Sequence, residues 1–166
     1  MHIIDKQLSN LGLKVRTARI KRGFRTQKDF ASYMTGNPKS SATIVSRVET
    51  GKDLDFKKFL LIARKLELPL RYFFDPEEKE ITESYKDQLP LKTREEYELI
   101  RIGNIIAEKR RAMGKTLLDF ESGIGIAGID SSNLSKIERG KSNFRFSLLI
   151  RICKELDMEL SDLFEK

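Results

Sequence analysis

The strongest constraint on this chain is that its second half repeats its first. LGLKVRTARIKRG (Leu11 to Gly23) pairs with IGNIIAEKRRAMG (Ile102 to Gly114) at a displacement of about 90 residues, and TQKDF (Thr26 to Phe30) pairs with TLLDF (Thr116 to Phe120). SRVETGK (Ser46 to Lys52) then pairs with SKIERGK (Ser135 to Lys141), and FLLIARKLELPLRYFF with SLLIRICKELDMELSDLF, all in the same order. Solenoid repeats have periods of about 20 to 50 residues, so a period this long marks a duplicated domain. Whatever one copy folds into, the other must fold into as well, each around its own small core.

Each copy reads as a series of short helices. In the first, Leu13, Val15, Ala18 and Ile20 form an apolar stripe that stops at Gly23, a residue that tolerates the left-handed geometry of a helix end. Thr26 with Asp29, and Thr116 with Asp119, have the spacing of a capping box, which predicts the start of a second helix in both copies. A third helix is predicted over 41–50 and 131–139, each ahead of a glycine, with Val45 and Val48 or Leu134 and Ile137 as its buried pair. The fourth holds Phe59, Leu60, Ile62, Ala63 and Leu66, or Leu148, Leu149, Ile152, Cys153 and Leu156, so Cys153 takes the place of Ala63 as core filler. Asn37 and Pro38 predict a turn, and Gly123, Gly125 and Gly128 a looser one in the second copy. The expected architecture is all-α: a first domain over 1–74, an acidic linker over 75–92 and a second domain over 93–166. Thr93 with Glu96 predicts that the first helix of the second copy runs over about 94–111.

The net charge of +7 is unevenly distributed. Residues 1–74 hold 16 Lys and Arg against 6 Asp and Glu, residues 75–99 hold 4 against 9, and residues 100–166 hold 12 against 10. A strongly basic first copy suits an anionic polymer. One cysteine and one histidine leave no disulfide and no zinc cluster, and no metal or other cofactor is expected. No apolar run of about 18 residues and no signal-like start are present, which predicts a cytoplasmic protein without a membrane partner. HExxH, GxSxG and P-loop patterns are absent, and the acidic run EEKEITE reads as a soluble linker, so no enzyme is expected.

The third helices carry the chemistry. Two short helices joined by a turn, the second exposing small polar and cationic side chains, fit a major groove about 12 Å wide. With the SRVETGK and SKIERGK signatures and their glycine stops, both copies resemble the phage repressor and Cro (XRE) family of helix-turn-helix transcriptional regulators, over about 9–74 and 100–164. The resemblance implies two tandem five-helix lambda-repressor-like domains that bind double-stranded DNA. It implies a phosphate contact for Gln27, whose place Leu117 takes in the second copy. Base reading falls to Ser41, Ala42, Thr43, Ser46 and Arg47, and to Ser131, Ser132, Asn133, Ser135 and Lys136, with Arg47 suited to guanine and Asn133 to adenine. Lys52 and Lys141 would lie near phosphates. The family's arginine–glutamate pairing falls on Arg19 with Glu49 and on Arg110 with Glu138, as structural ion pairs. The segments TGNPKSS and GIAGIDSS lengthen the turn beyond the family's spacing and leave its angle open.

Two functions follow. In the first, both domains read one duplex as an intramolecular pseudo-dimer, in a bacterial or phage setting at the nucleoid. In the alternative, the first domain binds DNA and the second is a dimerisation or protein-interaction module of the antitoxin kind. About 65 residues per copy leave no separate sensor domain, so no small-molecule ligand is expected.

Overall fold

Helix α1 (Ile3–Lys21) shows how the first copy selects its core. It buries Ile4, Leu8, Leu11, Gly12, Val15, Ala18 and Arg19, positions three, four and seven apart that form one helical face. The stripe expected from the sequence is only half right: Val15 and Ala18 are fully buried, but Leu13 is 62% exposed and Ile20 49%. At about 100° per residue, Leu13 and Ile20 share a face two turns apart, and Val15 points the other way. The computed structural model describes residues 2–78, 84–125 and 129–164. The chain divides into a unit of residues 1–88 and a unit of residues 89–165, and every regular element among the described residues is helical.

In the first unit, α2 (Gln27–Thr35) opens on a complete capping box: the Thr26 hydroxyl accepts from the Asp29 amide at 3.0 Å, and the Thr26 amide donates to the Asp29 carboxylate at 3.3 Å. Helix α3 (Pro38–Glu49) starts one turn earlier than the sequence implied. Asn37 is its N-cap, accepting from the Lys39 amide at 3.2 Å, and Pro38 is its first residue, where a missing N–H costs nothing. The expected Asn37–Pro38 turn is therefore a helix start. Helices α4 (Phe56–Lys65) and α5 (Leu70–Phe74) complete the unit. Phe30, Phe56 and Phe59 are wholly buried among Val15, Val45, Ile62 and Leu66, and Phe73 meets Phe59 edge-on at 5.1 Å.

The second unit holds α6 (Leu91–Ala112), α7 (Leu117–Ile124), α8 (Ser131–Glu138) and α9 (Phe146–Glu155). Its fifth element is a 3₁₀ turn over Leu160–Leu163, where a fifth helix was expected. Ile102, Phe120, Phe146, Leu149 and Ile152 have no exposed surface. Thr116 and Asp119 form the same capping box as in the first unit, at 3.1 and 2.8 Å. Burial pushes the Cys153 thiol up to about 12, so it stays protonated among apolar neighbours. Helix α6 contradicts the predicted start near Arg94: it begins at Leu91, with Pro90 as N-cap and no side-chain cap bond, so Thr93 and Glu96 lie inside its first two turns. Glu98 is buried between Arg94 at 3.5 Å and Arg101 at 2.7 Å.

One close approach fixes both units. A Cβ added to Gly12 would lie 2.2 Å from the Val48 carbonyl oxygen, and one added to Gly103 would lie 2.4 Å from that of Ile137. The first helix therefore crosses the end of the third with backbone against backbone, in a geometry only glycine permits.

The expected linker of 75–92 is shorter on both sides. Asp75 caps the end of α5, and Lys14 donates to the carbonyls of Tyr72 at 2.7 Å, Asp75 at 2.5 Å and Glu78 at 3.0 Å. The Tyr85 amide donates to the Glu67 carbonyl at 2.8 Å, and Asp87 meets Arg64 at 3.4 Å with its side chain only 8% exposed. Asp75 and Glu78 on one side of residues 79–83, and Tyr85 and Asp87 on the other, are thus held by the first unit. The rest of EEKEITE, residues 79–83, and Gly128 of the looser turn lie outside the described residues.

Candidate nucleic-acid interface

The site is built on a buried ion pair that joins the first helix to the end of the third. In the first unit Arg19 donates through Nε to Glu49 Oε1 at 2.6 Å and through Nη2 to Oε2 at 3.1 Å, while Nη1 donates to the Phe24 carbonyl at 2.5 Å. The side chains are 4% and 3% exposed. In the second unit Arg110 repeats the set on Glu138 at 2.5 and 3.0 Å and on the Lys115 carbonyl at 2.6 Å. The hydrogen bonds to Glu138 hold the Arg110 guanidinium above its ordinary range, against the opposing effect of burial. Each arginine ties together three segments: its own helix, the loop before the second helix and the end of the third. A bidentate pair with both ends satisfied places a carboxylate beside the groove without leaving it free to repel an anion.

In the first unit Gln27, Ala42, Thr43, Ser46, Arg47 and Lys52 line a single open groove together with Thr50. Six of the seven residues singled out there are brought together. Ser41 is not among them. It is 1% exposed and its hydroxyl hydrogen-bonds that of Thr35, so it cannot face a ligand; the extra turn at the start of α3 has moved it inside. The same extra turn resolves the long TGNPKSS segment: only Gly36, in left-handed geometry, and Asn37 separate α2 from α3, and the remaining residues are helical. Arg47 donates through Nη2 to the Asp53 carbonyl at 2.9 Å, which orients its guanidinium along the groove wall.

The second unit differs at the matching surface. Its groove is lined by Asn104, Ala107, Glu108, Arg111, Leu117, Ser135, Arg139 and Lys141 around the Arg110–Glu138 pair. Of the residues singled out, Ser135 and Lys141 line it. Ser132 and Lys136 are exposed elsewhere on α8, and Ser131 and Asn133 are half-buried at its start. The Glu121 carboxylate accepts from the Ser131 amide at 2.8 Å, and Asp130 accepts from both the backbone and side-chain amides of Asn133, at 2.8 and 3.0 Å. Two carboxylates thus sit at the start of α8, whereas neutral Asn37 caps α3. Leu117 and the 65%-exposed Leu118 open α7 where Gln27 and Lys28 open α2. Gly123 lies inside α7 against the Glu155 carboxylate, and Gly125 is the left-handed C-cap, so both belong to the end of that helix.

Sequence reasoning missed Thr50, Arg139, Glu108 and Arg111. Their signal was available: Thr50 and Arg139 occupy the same place one residue before the paired glycines, and Glu108 and Arg111 flank Arg110 on the neighbouring helical face. Among the described residues no group of three or more His, Cys, Asp or Glu could hold a metal ion, and no helix is long and apolar enough to cross a membrane.

Comparison with known proteins gives one match. No curated protein and no solved structure matches the chain. A helix-turn-helix family model matches residues 106–163, from the C-terminal half of α6 to the end of the 3₁₀ turn, so this segment of the second unit is similar to helix-turn-helix domains of DNA-binding regulators of the XRE type.

Proposed function

We propose that the chain is a sequence-specific transcriptional regulator that binds double-stranded DNA through the grooves of both units, acting on one duplex as an intramolecular pseudo-dimer. The observation that carries this reading is the groove of the first unit. Small side chains at Ala42, Thr43 and Ser46, two of them hydroxyls, leave room for base edges, while Arg47 and Lys52 supply positive charge at its walls. The helix-turn-helix match falls on the other unit, which supports a DNA-facing role for α8 as well. Lys136, Arg139 and Lys141 place three cations on or just after that helix. Lys52 and Lys141 act on phosphates and Arg47 on a guanine edge.

Selection of bound duplexes from a random library, followed by footprinting, tests the proposal. The expected footprint covers two unlike half-sites about one helical turn, roughly 34 Å, apart. A footprint over one short half-site would remove the pseudo-dimer.

A second reading keeps DNA binding in the first unit and makes the second a dimerisation or protein-docking module. It is favoured by Leu117 and Leu118 at the start of α7 and by the carboxylates of Glu121 and Asp130 at the start of α8. Ser135→Ala with Lys141→Ala, the two residues that line the second unit's groove, assayed on the selected duplex, separates the two. An affinity lowered by tenfold or more supports two reading units, and an unchanged affinity supports the docking module.

A further inference from the structure

The first unit carries cations that bind the segment leading to α6, and the second copy has apolar residues at two of their places. Lys14 donates to the carbonyls of Tyr72, Asp75 and Glu78, where the second copy has Ile105. Arg22, matched by Met113, donates through Nε to the Leu66 carbonyl at 2.9 Å and through Nη2 to the Glu67 carbonyl at 3.1 Å. Arg64 pairs with Asp87 at 3.4 Å, and the Asp87 side chain is nearly buried. Glu67 is the point of convergence. Its backbone is left-handed, with φ of 53°, and its carbonyl accepts from the Tyr85 amide as well as from Arg22, while its carboxylate accepts from the Ser84 hydroxyl. Asp157 repeats this left-handed turn in the second unit, with φ of 50°, yet among the described residues no other segment bonds to its carbonyl.

Three residues, Gln88, Leu89 and Pro90, separate Asp87 from Leu91, the first residue of α6. At about 3.5 Å per residue, the path from Asp87 to Leu91 spans at most about 14 Å, whereas a chain released from the end of α5 onward could span about 60 Å. We infer that residues 84–87 are a strap, bound through Arg64 and Glu67, that shortens the tether between the units and thereby sets which half-site spacing the chain accepts. The inference rests on the pseudo-dimer reading above and deepens it, by naming residues that determine spacing specificity without touching DNA. Linked sites gain affinity through an effective concentration that is greatest when the linker matches the span and falls as the linker grows longer. Each base pair added between half-sites moves one of them by about 3.4 Å and turns it by about 35° around the duplex. A short tether therefore rewards one spacing, and a long one accepts several.

The test uses the full chain on duplexes that carry the two selected half-sites, with the spacer varied in single base pairs. Unmodified protein is expected to bind one spacing best and to lose about tenfold or more when the spacer is about two base pairs longer or shorter. Tyr85→Pro with Asp87→Ala removes the amide donor and the ion pair, and is expected to bring these spacings within about threefold of one another. Lys86→Ala, at an exposed position of the strap, is expected to keep the unmodified profile. A short Gly-Ser insert between Gln88 and Leu89 leaves the strap contacts in place and lengthens the tether directly, with the same flattening expected. A spacing preference that survives undiminished in the double variant, or with the insert, overturns the inference while two half-sites in the footprint leave the DNA reading standing. Selection of a single half-site, or of none, removes the pseudo-dimer and the spacing role with it. The strap is then decided without DNA, by spin labels at Lys6→Cys on α1 and Arg151→Cys on α9, two exposed positions, since buried Cys153 does not compete for the label. The expected result is a broader distribution of distances in the double variant than in the otherwise unmodified chain, and equal widths overturn the strap.

Discussion

Glu138 is nearly inaccessible, and its only charge partner among the described residues is Arg110. Replacing it with alanine leaves a buried guanidinium uncompensated, and the expected loss is about 3 to 5 kcal/mol in urea unfolding of the chain. An unchanged midpoint would mean that the pair contributes nothing to the fold. Asp119 makes a smaller and pH-dependent contribution. Hydrogen bonds from Thr116, side chain first and backbone second, hold its carboxyl below its usual 3.8. A carboxylate depressed in the folded state stabilises fully above its unfolded value and is lost as pH falls through the lower folded one. The Asp119 carboxyl resonance is therefore expected to titrate with a midpoint below 3.8, and Thr116→Ala to return it towards that value. Asp119 was legible in the sequence from its spacing to Thr116, and Glu138 from the family resemblance. What spacing did not reveal was Ser41, because its burial follows from where α3 begins, and that is set by Asn37 and Pro38 upstream.

Among the elements, the crossing of the first and third helices sets the groove. Gly103→Ala places a methyl group 2.4 Å from the Ile137 carbonyl oxygen and 2.6 Å from that of Glu138. The helices must separate, with an expected cost of about 1 to 3 kcal/mol and a weakened Arg110–Glu138 pair. Thermal unfolding of Gly103→Ala checks this, with Asn104→Ala, at an exposed position of the same helix, as a comparison. Helix periodicity identified the third and fourth helices and their buried pairs well, since Val45, Val48, Leu134 and Ile137 all face the core. It failed for the outer face of α1, where Leu13 and Ile20 are apolar but exposed, because counting apolar residues does not say which of two apolar faces has a partner. It failed again at the start of α6, where a proline cap replaced the side-chain cap that the Thr93–Glu96 spacing implied.

For the molecule as a whole, the proposed DNA reading together with charge and groove lining predicts unequal shares of affinity in the two units. Lys52→Ala is expected to lower the slope of log affinity against log salt by about 0.9, one phosphate's worth, while Ser46→Ala changes affinity with the slope intact. Anisotropy titrations at several salt concentrations measure both. The acidic segment also belongs to this scale: Asp87→Ala should speed hydrogen exchange at the Tyr85 amide, which bonds Glu67, since the Arg64 contact next to it would be lost. The sequence by itself determined that the chain is helical and that its segments recur in the same order, because repeat and periodicity are properties of the one-dimensional pattern, while its resemblance to a known family implied which arginine and glutamate pair. Only the tertiary structure decided that Asp75, Glu78, Tyr85 and Asp87 are held to the first unit, that Ser41 lies inside, and that Gln27 is bonded to Glu49. Those outcomes depend on which surfaces meet after the helices pack, and no local spacing encodes that.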